Sequence, residues 1–126
     1  MKFTFANLLY LRNSLQSLDI FKFDTKTTYT LARNLNWIED EIIPLEITRK
    51  KIFANHGSPK PEDEKYLTFL NEWENILNDT IEIKKLRLID FDKLNIGVEE
   101  KQNAISVPVL KGLFPIIINT EKEEGE

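Results

Sequence analysis

Apolar residues recur at steps of three and four over Phe5, Leu8, Leu11, Leu15 and Leu18, one face of an amphipathic helix covering about residues 4–18. The following IFKFD sets Ile20, Lys22 and Asp24 against Phe21 and Phe23, the alternation of a short strand or an extended link. Asp24 or Thr25 then offers the N-cap of a second helix. In that helix Leu31, Leu35, Ile38, Ile42, Leu45 and Ile52 are spaced 4, 3, 4, 3 and 7, with Arg49 in the skipped slot. Trp37, Ile43 and Ile47 widen the stripe beyond a coiled-coil seam, as expected of a helix packed inside a globular domain. Pro44 has no amide proton for the carbonyl four residues back and is expected to bend or break the rod. A long, regular coiled coil rarely accepts such a residue, so the stripe reads as the domain's own core rather than an exposed oligomer seam.

NHGSPKP, residues 55–61, is the clearest punctuation in the chain. Gly57 can stop the helix as a left-handed cap, and Pro59 and Pro61 prevent it resuming at once. Ser58 is one candidate N-cap for a third helix; a start at Lys60 to Pro61 is the other. Either places Glu62, Asp63 and Glu64 in a first turn, where the macrodipole favours acids. Tyr66, Leu70, Trp73 and Leu77 then run at steps of 4, 3 and 4, with Phe69 and Ile76 alongside. Two apolar stripes joined by a short loop predict an antiparallel helical hairpin.

Beyond Asn78 the period becomes alternating, with Ile81 and Ile83 on one side and Glu82 and Lys84 on the other. The phase slips after Lys85, where Leu86 and Leu88 take up the apolar role around Arg87; a bulge or the end of strand pairing is expected there. DFDKLNIG reads as a turn carrying Leu94 and Ile96 into the core. Residues 104–118 are compatible with a buried strand pair or with one short helix started by Pro108. The short helix, ending near Pro115 and followed by an apolar extended tail, is the reading adopted. The fold class is therefore α+β: an N-terminal helix, an antiparallel helical hairpin, a small β element and a short C-terminal helix. One globular domain is expected over residues 1–118, with a charged, solvated tail over 119–126.

Composition narrows the function classes. A chain of 126 residues with 41% apolar and 30% charged residues suits a folded domain with a single core. A net charge of −4 disfavours a general nucleic-acid binder. Without cysteine, disulfides, thiolate nucleophiles and Cys-ligated zinc are excluded. The apolar run of MKFTFANLLYLRNS is broken by Asn7 and Arg12, unlike a signal peptide, and no stretch approaches a membrane span. A cytoplasmic protein with no membrane association is expected.

No arrangement with catalytic spacing stands out. His56, the sole histidine, falls in the Gly/Pro-rich loop tip, and a solvent-facing loop histidine is the expectation. Glu39-Asp40-Glu41 and Glu62-Asp63-Glu64 are consecutive acids that fan around a helix rather than chelate from one face. Asp90 and Asp92 flank Phe91 and are expected to cap a turn. No metal or cofactor is expected, and no enzyme activity. Arg49, Lys50 and Lys51 form the densest basic cluster. They are read as dipole pairing and solvation, with phosphate contact as the alternative, joined by Lys84, Lys85 and Arg87 if the strand lies nearby. Trp37 and Trp73 are expected in or near the core.

The string TYTLARNLNWIEDEIIPLEITRKKIFANHG resembles a family of small bacteriophage proteins of unknown function, in which a Tyr-x-Leu-Ala-Lys/Arg-Asn start opens a long charged helix ending at glycine. Tyr29, Leu31, Ala32, Arg33 and Asn34 occupy the matching positions. FLNEWENILNDTIEIKKLRLIDFDKL is similar to that family's continuation, and VLKGLFPIII to its Leu-x-x-Leu-x-Pro-Ile-Ile ending. The resemblance covers about residues 5–118. It implies a phage or prophage origin and a place in the host cytoplasm or the virion, and it transfers no catalytic residue. The function expected is non-enzymatic protein–protein interaction, as a virion or assembly component or an inhibitor of a host protein. The alternative is a small nucleic-acid-associated protein using Arg49, Lys50 and Lys51. Candidate contact residues are His56, Ser58 and Lys60 at the hairpin tip, Arg49, Lys50 and Lys51, and Ile116 and Ile118 unless that tail is core. Homodimerisation through leftover hairpin surface is left open.

Overall fold

The computed structural model describes residues 1–94 and 103–118. Its elements are β1 (Lys2–Thr4), α1 (Phe5–Ser17), α2 (Thr25–Asn55), α3 (Glu64–Leu77), β2 (Thr80–Glu82), β3 (Ile89–Asp90), α4 (Val107–Leu113) and β4 (Ile117–Ile118). Single turns of 3-10 helix occupy Leu18–Ile20, Phe91–Leu94 and Phe114–Ile116. This is the expected α+β architecture with its helical hairpin. No helix among the described residues is long and apolar enough to cross a membrane. The expected core residue Ile96 and the tail 119–126 lie outside the described residues.

α1 sits between α2 and α4. Its stripe of Leu8, Leu11 and Leu15, continued by Leu18 in the following 3-10 turn, is buried in one cluster with Leu31, Ile38 and Ile42 of α2 and Leu113 and Ile116 of the C-terminal segment. Each such side chain contributes about 1.5–3 kcal/mol by leaving water. Thr4 starts α1 by accepting the Asn7 amide at 3.1 Å, and Asp24 starts α2 by accepting the Thr27 amide at 2.7 Å. On the other flank, α4 approaches α1 so closely that a Cβ on Gly112 would lie 1.9 Å from Ser14 Oγ and 2.8 Å from the Tyr10 ring. The Tyr10 hydroxyl donates to the Pro108 carbonyl at 2.6 Å across the same contact.

The strands are short and rely on side chains for their placement. β1 pairs antiparallel with β2, setting Phe3 opposite Ile81, and the Ile83 amide extends the pairing to the Met1 carbonyl at 2.8 Å. β3 and β4 pair in parallel, Ile89 opposite Ile117. Between β2 and β3 the chain runs without a strand partner. There, fully buried Asn34 of α2 donates through Nδ2 to the Arg87 carbonyl and accepts the Arg87 amide through Oδ1, both at 2.9 Å. Asn103 repeats the device, donating to the Lys22 and Leu94 carbonyls at 2.8 and 2.9 Å and accepting the Lys22 amide at 3.3 Å. In each case a primary amide presents the donor and acceptor that a ladder neighbour would have supplied.

Several expectations are corrected. Pro44 does not break α2, which runs as one helix of 31 residues. Pro44 and Asp40, whose carbonyl loses its partner, both lie on the exposed side, where water can serve that oxygen. Ile43 and Ile47 do not widen the buried stripe; they are 52% and 51% exposed. Of the two readings of IFKFD, the extended link holds and the strand does not: a 3-10 turn ends at Ile20, and the link then turns Phe21 and Phe23 inward. α3 begins at Glu64 rather than near residue 60, because Asp63 turns its carboxylate back to the Lys60 amide at 3.0 Å and closes a separate turn. Within α3 the buried residue is Phe69, whereas Leu70 is exposed. After β2 the pairing ends, one of the two outcomes expected, and Leu86 is buried, but Leu88 is exposed and Ile89 takes the inward place. β1 itself is an addition, since a three-residue strand is too short to show a period.

Asn34→Ala orphans two backbone groups and is expected to destabilise the fold by about 2–4 kcal/mol in urea titration. Gly112→Ala forces α1 and α4 apart or Ser14 off its rotamer, and should cost about 1–3 kcal/mol in the same measurement. The Asp24 carboxyl is held below its ordinary value chiefly by the Thr27 amide, with help from the Thr27 hydroxyl. Its folded pKa being depressed, this cap stabilises fully above the unfolded pKa and fades as pH falls through the lower folded value. Asp24→Asn keeps an acceptor and should flatten the loss of Tm on acidification below about pH 4.

Candidate contact surface

The far half of α2 and all of α3 form an arm beside the main core. Leu45 and Ile52 of α2 and Phe69 of α3 are buried there but lie outside the cluster centred on α1. Phe69 is the hub: the Phe53 ring meets it edge-on with centroids 5.1 Å apart, Tyr66 lies at 6.0 Å, and the Arg49 guanidinium covers it at 5.8 Å. The arm closes in a Schellman turn, with Gly57 at φ 78 donating to the Ala54 carbonyl and Ser58 to the Phe53 carbonyl.

His56 is the C-cap of α2 and is not the solvent-facing residue expected; its Nε2 lies 2.7 Å from Glu72 Oε2 across the hairpin. Ser58 is not an N-cap but continues the turn at φ 49. Lys60 is exposed, with its amide held by Asp63.

The basic cluster does not act as one face. Successive residues diverge by about 100°: Arg49 folds over Phe69, while Lys50 and Lys51 are exposed on other sides. Lys84, Lys85 and Arg87 do not join it. The Arg87 backbone is held at Asn34, about 22 Å along the helix from Arg49 at 1.5 Å per residue. The acids diverge likewise. Glu39 faces Arg12 at 3.8 Å and Gln16 at 3.2 Å, and Asp40 is exposed. Asp90 accepts the Asp92 amide at 3.1 Å, the turn cap expected. Among the described residues no group of three or more His, Asp or Glu could hold a metal ion. Ile116 is fully buried and leaves the list of contact residues, because β4 folds back onto β3; Ile118 is half-buried in that pair.

Two concavities flank the N-terminal half of α2. A groove of about 420 Å³ is lined by Leu15, Leu18, Phe21, Phe23, Leu31 and Leu35. A second, of about 590 Å³, mixes Lys26 and Lys93 with Asp24, Asp90, Leu88 and Ile118. Beside them Arg33 stacks on Trp37 at 4.7 Å and on Tyr29 at 5.5 Å.

Exposed apolar residues are spread over the described residues, from Ile20 and Tyr29 to Val107 and Phe114, and four of them lie on the arm. α3 presents Leu67 and Leu70, 64% and 36% exposed, and α2 presents Ile43 and Ile47. The apolar pattern alone places Leu70, Ile43 and Ile47 in the core; their phase relative to Phe69 and to Ile42–Leu45 is the signal that separates them. The chain matches no family model, and neither a curated protein nor a solved structure is found to be similar to it.

The hairpin depends on Phe69 rather than on the His56–Glu72 hydrogen bond. Phe69→Ala should cost about 3–5 kcal/mol, against less than about 1 kcal/mol for His56→Ala, both measured by chemical denaturation.

Proposed function

We propose that this chain is a non-enzymatic bacteriophage protein that acts in the host cytoplasm by protein–protein contact, as an assembly or virion component or as an inhibitor of a host protein. The observation that carries the contact reading is the state of α3. Of its 14 residues only Phe69 is buried, while Leu67 and Leu70 stand open beside half-buried Trp73 and Leu77. Single exposed leucines are ordinary. A row of them at helical spacing, next to a tryptophan, is the form of a helix that presents anchors to a partner. His56, Ser58 and Lys60 border that row at the arm's end. The phage setting is supported by the Tyr29–Asn34 stretch and the 110–118 ending.

The test is affinity capture from infected cells together with mass spectrometry of purified virions. A specific host protein, or presence in the particle, is expected, and Leu67→Glu with Leu70→Glu should abolish the association while leaving the helical circular dichroism unchanged. Absence from virions with no enriched partner overturns the reading.

A further inference from the structure

α2 carries two stripes, and only one of them faces its own core. Asn36, Asp40, Ile43, Ile47, Lys50 and Ala54 are spaced 4, 3, 4, 3 and 4, and all six are exposed. They lie opposite the buried line of Asn34, Ile38 and Leu45, as their phase on a 3.6-residue helix requires. The six positions have the a/d spacing of a helix–helix seam.

The order of the chemistry along this seam is symmetric about position 45. Ile43 and Ile47 lie two residues to either side, Asp40 and Lys50 five, Asn36 and Ala54 nine. Turning a second α2 antiparallel about a two-fold axis there sets Ile43 on Ile47 of the other copy, and the reciprocal pair forms by symmetry. The same operation sets each Asp40 against a Lys50, an acid against a base at both ends of the apolar centre. A parallel arrangement would instead stack Asp40 on Asp40 and Lys50 on Lys50. We propose that the outer face of α2 is a self-complementary seam on which a second copy of this chain docks antiparallel, with Ile43 against Ile47 and Asp40 against Lys50.

The rim is compatible with this arrangement. Glu46, which approaches its own symmetry mate, is partnered within its chain by Arg12 at 3.6 Å. Pro44 falls on a flanking position, where no seam contact needs its missing amide. The contact is isologous, so it closes at two copies. It uses a different face from the partner row on α3 and stands or falls separately from that reading. A single helix face of this length is a small interface, and a dimer that dissociates on dilution is expected.

Sedimentation equilibrium over a concentration series tests it, using charge reversal at exposed positions that leave the fold intact. Asp40→Lys alone and Lys50→Asp alone should each weaken self-association by about tenfold or more, since each sets like charges together twice. An equimolar mixture of the two variants should form a heterodimer, and the double variant should dimerise again as the native chain does. Ile43→Glu with Ile47→Glu should leave only monomer. A native chain that stays monomeric up to about 1 mM overturns the proposal. So does a dimer indifferent to the isoleucine substitutions, or one in which the single reversals weaken binding but the mixture does not restore it.

Discussion

The rotation of α2 about its own axis is set by one buried amide. Asn34 has no exposed surface, and its side chain is committed in both directions to the backbone of Arg87. Its two bonds are individually modest, but each removed partner would strand a peptide group away from water, and that penalty makes the pairing hard to give up. With Asn34 fixed inward, a helix of 3.6 residues per turn must also direct Leu31, Ile38, Ile42 and Leu45 inward. The same constraint directs Ile43 and Ile47 outward. Burial of the apolar stripe supplies most of the free energy, yet a stripe of interchangeable aliphatic side chains can tolerate small rotations. A two-point hydrogen bond to a single residue cannot.

This use of asparagine follows from how little sheet the described residues form. β1 with β2 and β3 with β4 are isolated pairs, below the size that holds a sheet together unaided. The segments around Lys22 and Arg87 therefore pass the core as bare chain, and their peptide groups need partners that no neighbouring strand offers. Asn34 and Asn103 supply them, and no buried polar side-chain atom among the described residues is left without a partner. The helices are built by apolar periodicity, and the connections between them are pinned by amides.

That division explains what could be read from the chain. The spacing of Leu8, Leu11 and Leu15, the Asp24 cap, the Gly57 stop and the Pro108 start are local signals, and each element appears where its signal stands. What is not legible is non-local. Asn34 stands in the sequence only as a marker of resemblance, since nothing in the residues around it announces Arg87 across 53 positions of chain. β1 exists because β2 is beside it. Leu70 and Leu88 have the right hydrophobicity for the core, but the phase chosen for each depended on which neighbour, Phe69 or Ile89, reached the interior. The basic triplet was legible as composition and misleading as a site, because adjacency in sequence is divergence on a helix.

The arm of α2 and α3 has a different energetic character from the body. The main cluster ends along α2 at Ile42, and beyond it burial depends on Leu45, Ile52 and Phe69. A helical pair with so small an interior is expected to open locally at lower free energy than the body, and it carries the exposed Ile43, Ile47, Leu67 and Leu70. The outer seam straddles the junction, with Asn36 and Asp40 behind the body and Ile47, Lys50 and Ala54 behind the arm. A second copy seated there would bridge the two regions and brace the arm without touching Leu67 or Leu70. Self-association and partner contact would then be coupled in one direction: the dimer stiffens the helix that presents the partner row, lowering the ordering cost of binding.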